Sequence, residues 1–375
     1  MLVSLALLTL GLTTCSSETE NLRSRVAVPA GDPTGFDRVE GPMALSFPAD
    51  HGPHPDYQTE WWYYTGNLET EGGRHFGYQL TFFRRALVPA GKRPARASAW
   101  AADQVYMAHL ALTDVDGRDH RARERFARGA AELAGARGEP FAVWLENWRV
   151  EAIAPDSYHL EAAGDGLSLD LRLTDLKGPA LQGDGGYSQK GPESGNASFY
   201  YSLTRLETAG TVMVDGDSFQ VSGLSWMDHE YSTNALSADQ IGWDWFSLQL
   251  DDGSELMVFQ IRRQDGSADP YSSGTVVTPA GERLSLDRDD FEIQVLDRWK
   301  SSRTSADYPS RWQIVVPAAD LTLSLEPYLA DQELDVSYAY WEGAVRVEGE
   351  RAGRAVRGDG YVEMTGYAAS MARQF

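Results

Sequence analysis

The chain has 375 residues, 42% hydrophobic and 23% charged, a globular composition long enough for two domains that need no disulfide or metal to hold them. Acidic side chains number 55 against 33 basic ones, and a net charge of −22 repels phosphate backbones, so nucleic acid is excluded as a partner. The single cysteine, Cys15, lies in the leader, which excludes an internal disulfide and a cysteine nucleophile.

Residues 1–15 (MLVSLALLTLGLTTC) form an apolar run shorter than the ~20 residues a spanning helix needs. They are expected to be a signal peptide ending in a lipobox-like Leu12-Thr13-Thr14-Cys15, with Thr14 where a smaller residue is usual and no basic residues ahead of the run. Cys15 is then the expected lipidation site and the membrane anchor, residues 16–39 a polar tether, and the protein an exported one, periplasmic or an outer-membrane lipoprotein.

Beyond the tether the chain repeats itself. Leu45-Ser46-Phe47 followed by Asp50-His51 echoes Leu224-Ser225-Trp226 followed by Asp228-His229. Trp61 to Glu69 then matches Trp243 to Asp251, and each copy turns at glycine into a strand ending in two arginines, Arg84-Arg85 and Arg262-Arg263. The echo predicts two similar domains, 40–215 and 216–375. Both are β by pattern, with strands predicted at 105–113, 141–150, 167–173, 198–206, 255–262, 291–295, 312–316 and 321–325. Asp-Gly pairs at 116, 165, 215, 252 and 265 mark turns. One short helix is predicted over 121–133, with Phe126, Ala130 and Leu133 on one stripe. Many short strands with close turns predict an all-β protein of two tandem β-barrel domains.

Two clusters could carry chemistry. The first packs Asp50, His51, His54, Asp56 and Glu60 into a Pro/Gly-rich loop entering a strand, where imidazole and carboxylate suit a metal but prolines forbid a helical ligand pair. The second is Asp228-His229-Glu230. Asp228 beside His229 could fix an imidazole tautomer, though adjacent residues on a regular strand face opposite sides and need a bend to converge. Asp228 and Glu230 share a face, and two close carboxylates push one acid upward, toward the proton donor that an alkene or leaving group requires. Trp61, Trp62, Tyr63, Trp226, Tyr231, Trp243 and Trp245 are the expected ligand-binding aromatics, or else ordinary barrel core. No P-loop, G-x-S-x-G elbow, dinucleotide fingerprint or H-E-x-x-H is present.

At these residues the chain resembles the AttH-like and carotenoid 1,2-hydratase family. The resemblance runs through FPADHGPHPDYQTEWWYYTGNL from Phe47, SAWAADQVYMAHLALTD from Ser98, GGYSQKGPESGNASFYYSLTRL from Gly185, GLSWMDHEYSTNAL from Gly223, GWDWFSLQLDDGSELMVFQIRR from Gly242 and GYVEMTGY from Gly360. It implies two lipocalin-like β domains in tandem, no cofactor or metal, and an apolar cleft near the domain junction for a hydrophobic small molecule. The hydratases' Asp-His-aromatic run matches Asp228 and His229, with Tyr231 where they tend to carry Trp. Their acid and phenol on a later strand are replaced here by Met257-Val258-Phe259-Gln260, which argues against carotenoid hydration itself and favours the secreted branch labelled as hydrolases. The expectation is an acid-base enzyme of hydrolase or hydratase type. In it Asp228 orients His229, Glu230 supplies charge, and Glu60 and His51 face them from the first domain. The alternative is a non-catalytic periplasmic lipid carrier.

Overall fold

The computed structural model describes residues 33–93, 98, 100–233 and 236–371, so the leader, Cys15 and most of the tether lie outside the described residues. The first sheet is built from β1 (Thr59–Glu69), β2 (His75–Ala86), β3 (Gln104–Asp114), β4 (Asp119–Arg128), β5 (Ala134–Arg137), β6 (Ala142–Leu145), β7 (Trp148–Ala154), β8 (Ser157–Gly164), β9 (Leu167–Asp175), β10 (Pro179–Leu181), β11 (Tyr187–Gln189), β12 (Ala197–Val214) and β13 (Asp217–Ser232). The second takes β14 (Gln240–Leu250), β15 (Glu255–Arg263), β16 (Ser273–Val277), β17 (Arg283–Leu286), β18 (Glu292–Lys300), β19 (Asp307–Val316), β20 (Leu321–Pro327), β21 (Glu333–Asp335), β22 (Ala339–Arg351) and β23 (Arg354–Met364).

The strand orders are β4-β3-β2-β1-β13-β12-β9-β8-β7-β6-β5 and β17-β16-β15-β14-β23-β22-β20-β19-β18. Each is a four-strand meander sewn to a later meander by one long seam, β1 on β13 and β14 on β23. The first curls until β3 and β4 approach β5 and β6, a nearly closed barrel; the second is a half-barrel. The duplication expected from sequence is therefore present in the topology, as two lipocalin-like barrels in tandem.

Three details differ from the sequence reading. The sheet changes between Ser232 and Gln240, not at 215/216. Asp215 and Gly216 both have positive φ, +52° and +95°, as a two-residue hairpin requires, so β12 turns straight into β13 and both stay in the first sheet. The echo holds for β1 with β14 and β2 with β15. Its leading part does not, since Ala49–His51 is a 3-10 turn in a loop whereas Leu224–His229 lies within β13. The helix expected over 121–133 is instead strand β4 and a turn. Arg121, Arg123 and Arg125 recur at every second residue, β4 pairs with β3 from Val105↔Arg128 to Asp114↔Asp119, and Ala131 and Glu132 adopt positive φ that no helix accepts.

Candidate functional site

β1 and β13 run antiparallel in unbroken register from Thr59↔Ser232 to Glu69↔Ser222. With no bulge, side chains alternate strictly between two faces. Glu60, Trp62, His229 and Tyr231 point into the first barrel, and Trp61, Tyr63, Asp228 and Glu230 point out toward the second. The expected Asp228–His229 pair is thus separated by the sheet itself.

Inside the barrel, Glu60 is fully buried and spends both oxygens. Oε2 accepts from Arg84 Nε at 2.7 Å; Oε1 lies 2.8 Å from His54 Nδ1 and 2.9 Å from His229 Nε2. Burial works against the Glu60 carboxylate, yet the Arg84 charge and the two imidazoles hold it well below the ordinary range. His229 Nδ1 sits 3.0 Å from the Tyr201 hydroxyl, Tyr201 lies 2.7 Å from His51 Nδ1, and His51 Nε2 lies 3.3 Å from the Tyr158 hydroxyl. One set of tautomers satisfies the whole line: Tyr158 donates to His51, His51 to Tyr201, Tyr201 to His229, and His229 to Glu60. Burial lowers His229 and, with His229 nearby, takes His51 down to about 4, which keeps both neutral. His54 is desolvated too, but Glu60 and Asp50 outweigh this and raise it; its ring stacks on Tyr231 at 3.6 Å. His54, Glu60 and His229 are close enough to hold a cation, their donor atoms lying within 4.8 Å of one another. Those atoms are already engaged, and a dication there would meet the Arg84 guanidinium. The cluster pins the loop before β1 to the barrel wall.

The opposite face opens on a narrow cleft between the barrels with about 90 Å³ of free volume. Its walls are Trp61, Tyr63 and Phe83 from the first barrel and Trp243, Trp245 and Phe259 from the second. Set into them are Asp228, Glu230, Glu363 and Lys190. Asp228 accepts from Tyr200 Oη and Ser202 Oγ at 2.5 Å and from Trp226 Nε1 at 2.7 Å, and Trp245 Nε1 donates to Tyr200 from across the cleft at 3.0 Å. Burial outweighs those donors and, with Glu230 adding repulsion, carries Asp228 up to about 7. Burial likewise takes Glu363 to about 7, against a hydrogen bond from Trp243 Nε1 at 3.1 Å. Glu230 pairs with Lys190 Nζ at 3.2 Å and accepts from Ser198 Oγ, and the Lys190 ammonium also lies 4.0 Å from the centre of the Phe259 ring. At neutral pH the cleft thus offers carboxylic acids near their midpoint beside a paired carboxylate and ammonium, all within an aromatic shell.

Of the residues expected from sequence, the structure brings together Asp228, Glu230, Trp61, Tyr63, Trp243 and Trp245, with Trp226 just behind them as a donor to Asp228. It places His229, Glu60, His51, Trp62 and Tyr231 on the far side of the sheet. There Trp62 stacks on His229 and donates to the His51 carbonyl. Glu363, Glu342, Lys190 and Tyr200 were missed. For the two glutamates the signal was an acid directly following apolar and aromatic residues, Tyr361-Val362-Glu363-Met364 and Tyr340-Trp341-Glu342.

Tandem lipocalin-like barrels with an aromatic, acid-bearing cleft between them define the class of protein. Within that class, the profile of the AttH-like family matches residues 38–367. An AttH homologue from Nitrosomonas europaea is 34% identical, with a TM-score of 0.79 over 88% of this chain and 100% of that one. The chain belongs to the AttH-like family. Kievitone hydratase from Nectria haematococca shares the fold at 15% identity, TM-score 0.66, covering 89% of this chain and 98% of that one. CghA shares it at 11% identity, TM-score 0.51, covering 91% and 97%. No curated protein matches the sequence.

Proposed function

We propose that the cleft is the active site of a cofactor-independent acid-base enzyme, of hydratase or related hydrolase type, acting on an uncharged hydrophobic molecule with a lipid- or isoprenoid-like body. The observation that carries this is Asp228, buried among Trp and Tyr rings, with its acidity brought to about 7 and Glu363 beside it in the same range. A carboxylic acid protonated at neutral pH donates a proton to a double bond or leaving group. The cationic centre that forms is stabilised by the faces of Trp61, Trp243 and Trp245. Glu230, held by Lys190, accepts the proton released as water adds. A hydratase among the proteins of this fold supports the reaction class. The apolar enclosure and the net charge of −22 favour an uncharged ligand. Export and a lipid anchor at Cys15 belong to the same reading, since they place the cleft where membrane-derived molecules are released.

Mass spectrometry of hydrophobic molecules extracted from wild type and from Asp228→Asn, both exported to the periplasm, tests it. The expected result is a different molecule in the variant, related to the wild-type one by water addition or bond cleavage. The same molecule in both would make the protein a carrier. The intact mass of the same preparations reports whether Cys15 is acylated.

A further inference from the structure

A line of titratable groups runs from the surface to the back of the cleft, crossing from one barrel to the other. On β4, the partly exposed Glu124 places Oε1 2.9 Å from His109 Nε2, and the Ser337 hydroxyl holds its other oxygen at 2.5 Å. His109, on β3 and wholly buried, places Nδ1 2.6 Å from the Tyr340 hydroxyl on β22. Tyr340 and Glu342 are two residues apart on that strand and so share a face. Glu342 stands directly opposite Glu363 in the β22–β23 ladder, and Glu363 lines the cleft. Glu342 is buried, and its Oε2 has no hydrogen-bond partner. A buried carboxyl with an unused oxygen costs stability, which burial of an apolar residue at this position would avoid.

We propose that Glu124, His109, Tyr340 and Glu342 form the proton route between solvent and the cleft acid Glu363. Poised for transfer, Glu124 holds a proton taken from water and donates it to His109 Nε2, His109 donates Nδ1–H to Tyr340, and Tyr340 donates to Glu342, which keeps its own proton for Glu363. When Glu363 loses its proton to the cleft, Glu342 replaces it. Glu342 is then recharged through Tyr340, which passes on its hydroxyl proton and takes one from His109 Nδ1. His109 receives a proton at Nε2 from Glu124, and Glu124 takes one from water. One proton enters and one leaves, every group returns to its starting charge, and His109, left with its proton at Nε2, reverts to the Nδ1–H tautomer before the next transfer. The burial of Glu342, reinforced by the Glu363 charge, holds its pKa well above the ordinary carboxylate range, so it rests protonated. The purpose of the route rests on the acid-base reading of the cleft, but its detection does not. The four residues touch no substrate; they position and pass a proton.

Infrared spectroscopy tests this without a substrate. The carbonyl band of protonated Glu342 is identified by its loss in Glu342→Gln, and its shift is followed after mixing with D₂O. The band is expected to exchange about tenfold or more slowly in Tyr340→Phe, which removes one oxygen and keeps the ring, and also in Glu124→Gln at the surface end. A purely structural tie between the barrels would change melting temperature without changing exchange in the folded protein. Unchanged exchange in both variants, or no band lost in Glu342→Gln, overturns the route. Should Tyr340→Phe fail to fold, Glu124→Gln alone decides. The Asp228→Asn comparison does not depend on this exchange, so the two proposals fail separately.

Discussion

Asp228 accepts three hydrogen bonds that favour its carboxylate, yet removal from water dominates and moves it from 3.8 to about 7. Glu363 moves from 4.5 to about 7 for the same reason. Both pKa values are raised in the folded state, so the stability they contribute is complete below about pH 4 and is lost as pH rises through about 7. Urea denaturation across that window should show wild-type stability falling with pH. The Asp228→Asn variant, which cannot ionise there, should give a flatter curve. Catalysis by the acid form should fall through the same window, so a rate that climbs between pH 6 and 8 (roughly the range set by these groups) would remove Asp228 as the proton donor.

At the scale of single elements, β1 does two unrelated things because a strand has two faces. Its outward residues wall the cleft, and its inward Glu60 anchors the loop that carries His51 and His54. Arg84 stands opposite Glu60 in the β1–β2 ladder, both side chains are fully buried, and the ion pair keeps the carboxylate charged in the barrel. Arg84→Met leaves that charge uncompensated and should cost about 3–5 kcal/mol of unfolding free energy, whereas Met at both positions should recover part of the loss. A single-variant loss no larger than that of an exposed arginine would show that the pair carries little. β4 shows the opposite case. Its Ala, Arg and Glu residues are good helix formers, but its ladder to β3 and the salt bridge from Arg121 to Asp215 stabilise a strand that local propensity does not favour.

For the whole molecule, the cleft exists only because the barrels press together. Gly77 on β2 meets Ala344 on β22 so closely that a Cβ at Gly77 would lie 2.5 Å from the Ala344 Cβ. Asn67 Nδ2 donates to the Gly360 carbonyl at 3.0 Å, and Thr113 Oγ1 donates to Gln332 Oε1 at 2.8 Å. Gly77→Leu should push the barrels apart, costing about 1–3 kcal/mol and dividing one calorimetric transition into two. One unchanged transition would mean that the halves are not coupled through this contact.

The β class, the duplication and most strands were legible in the sequence, because period-two alternation and Asp-Gly turns are local features that act within a hairpin. Family membership was legible too, since motifs such as EWWYYTG and WMDHE persist as strings of residues. Which of those residues meet was decided by tertiary structure. Asp228 and His229 are neighbours in the chain, but an unbroken ladder puts one in the cleft and the other in the barrel. Glu363 and Lys190 lie far from Asp228 in the chain and reach the same cleft only when β23 and the loop before β12 are brought alongside. Alternation along a strand is a property of the backbone and can be read from residue order. Which solvent, barrel or partner sheet each face meets depends on pairings between distant segments, and those also set how far burial shifts an acid.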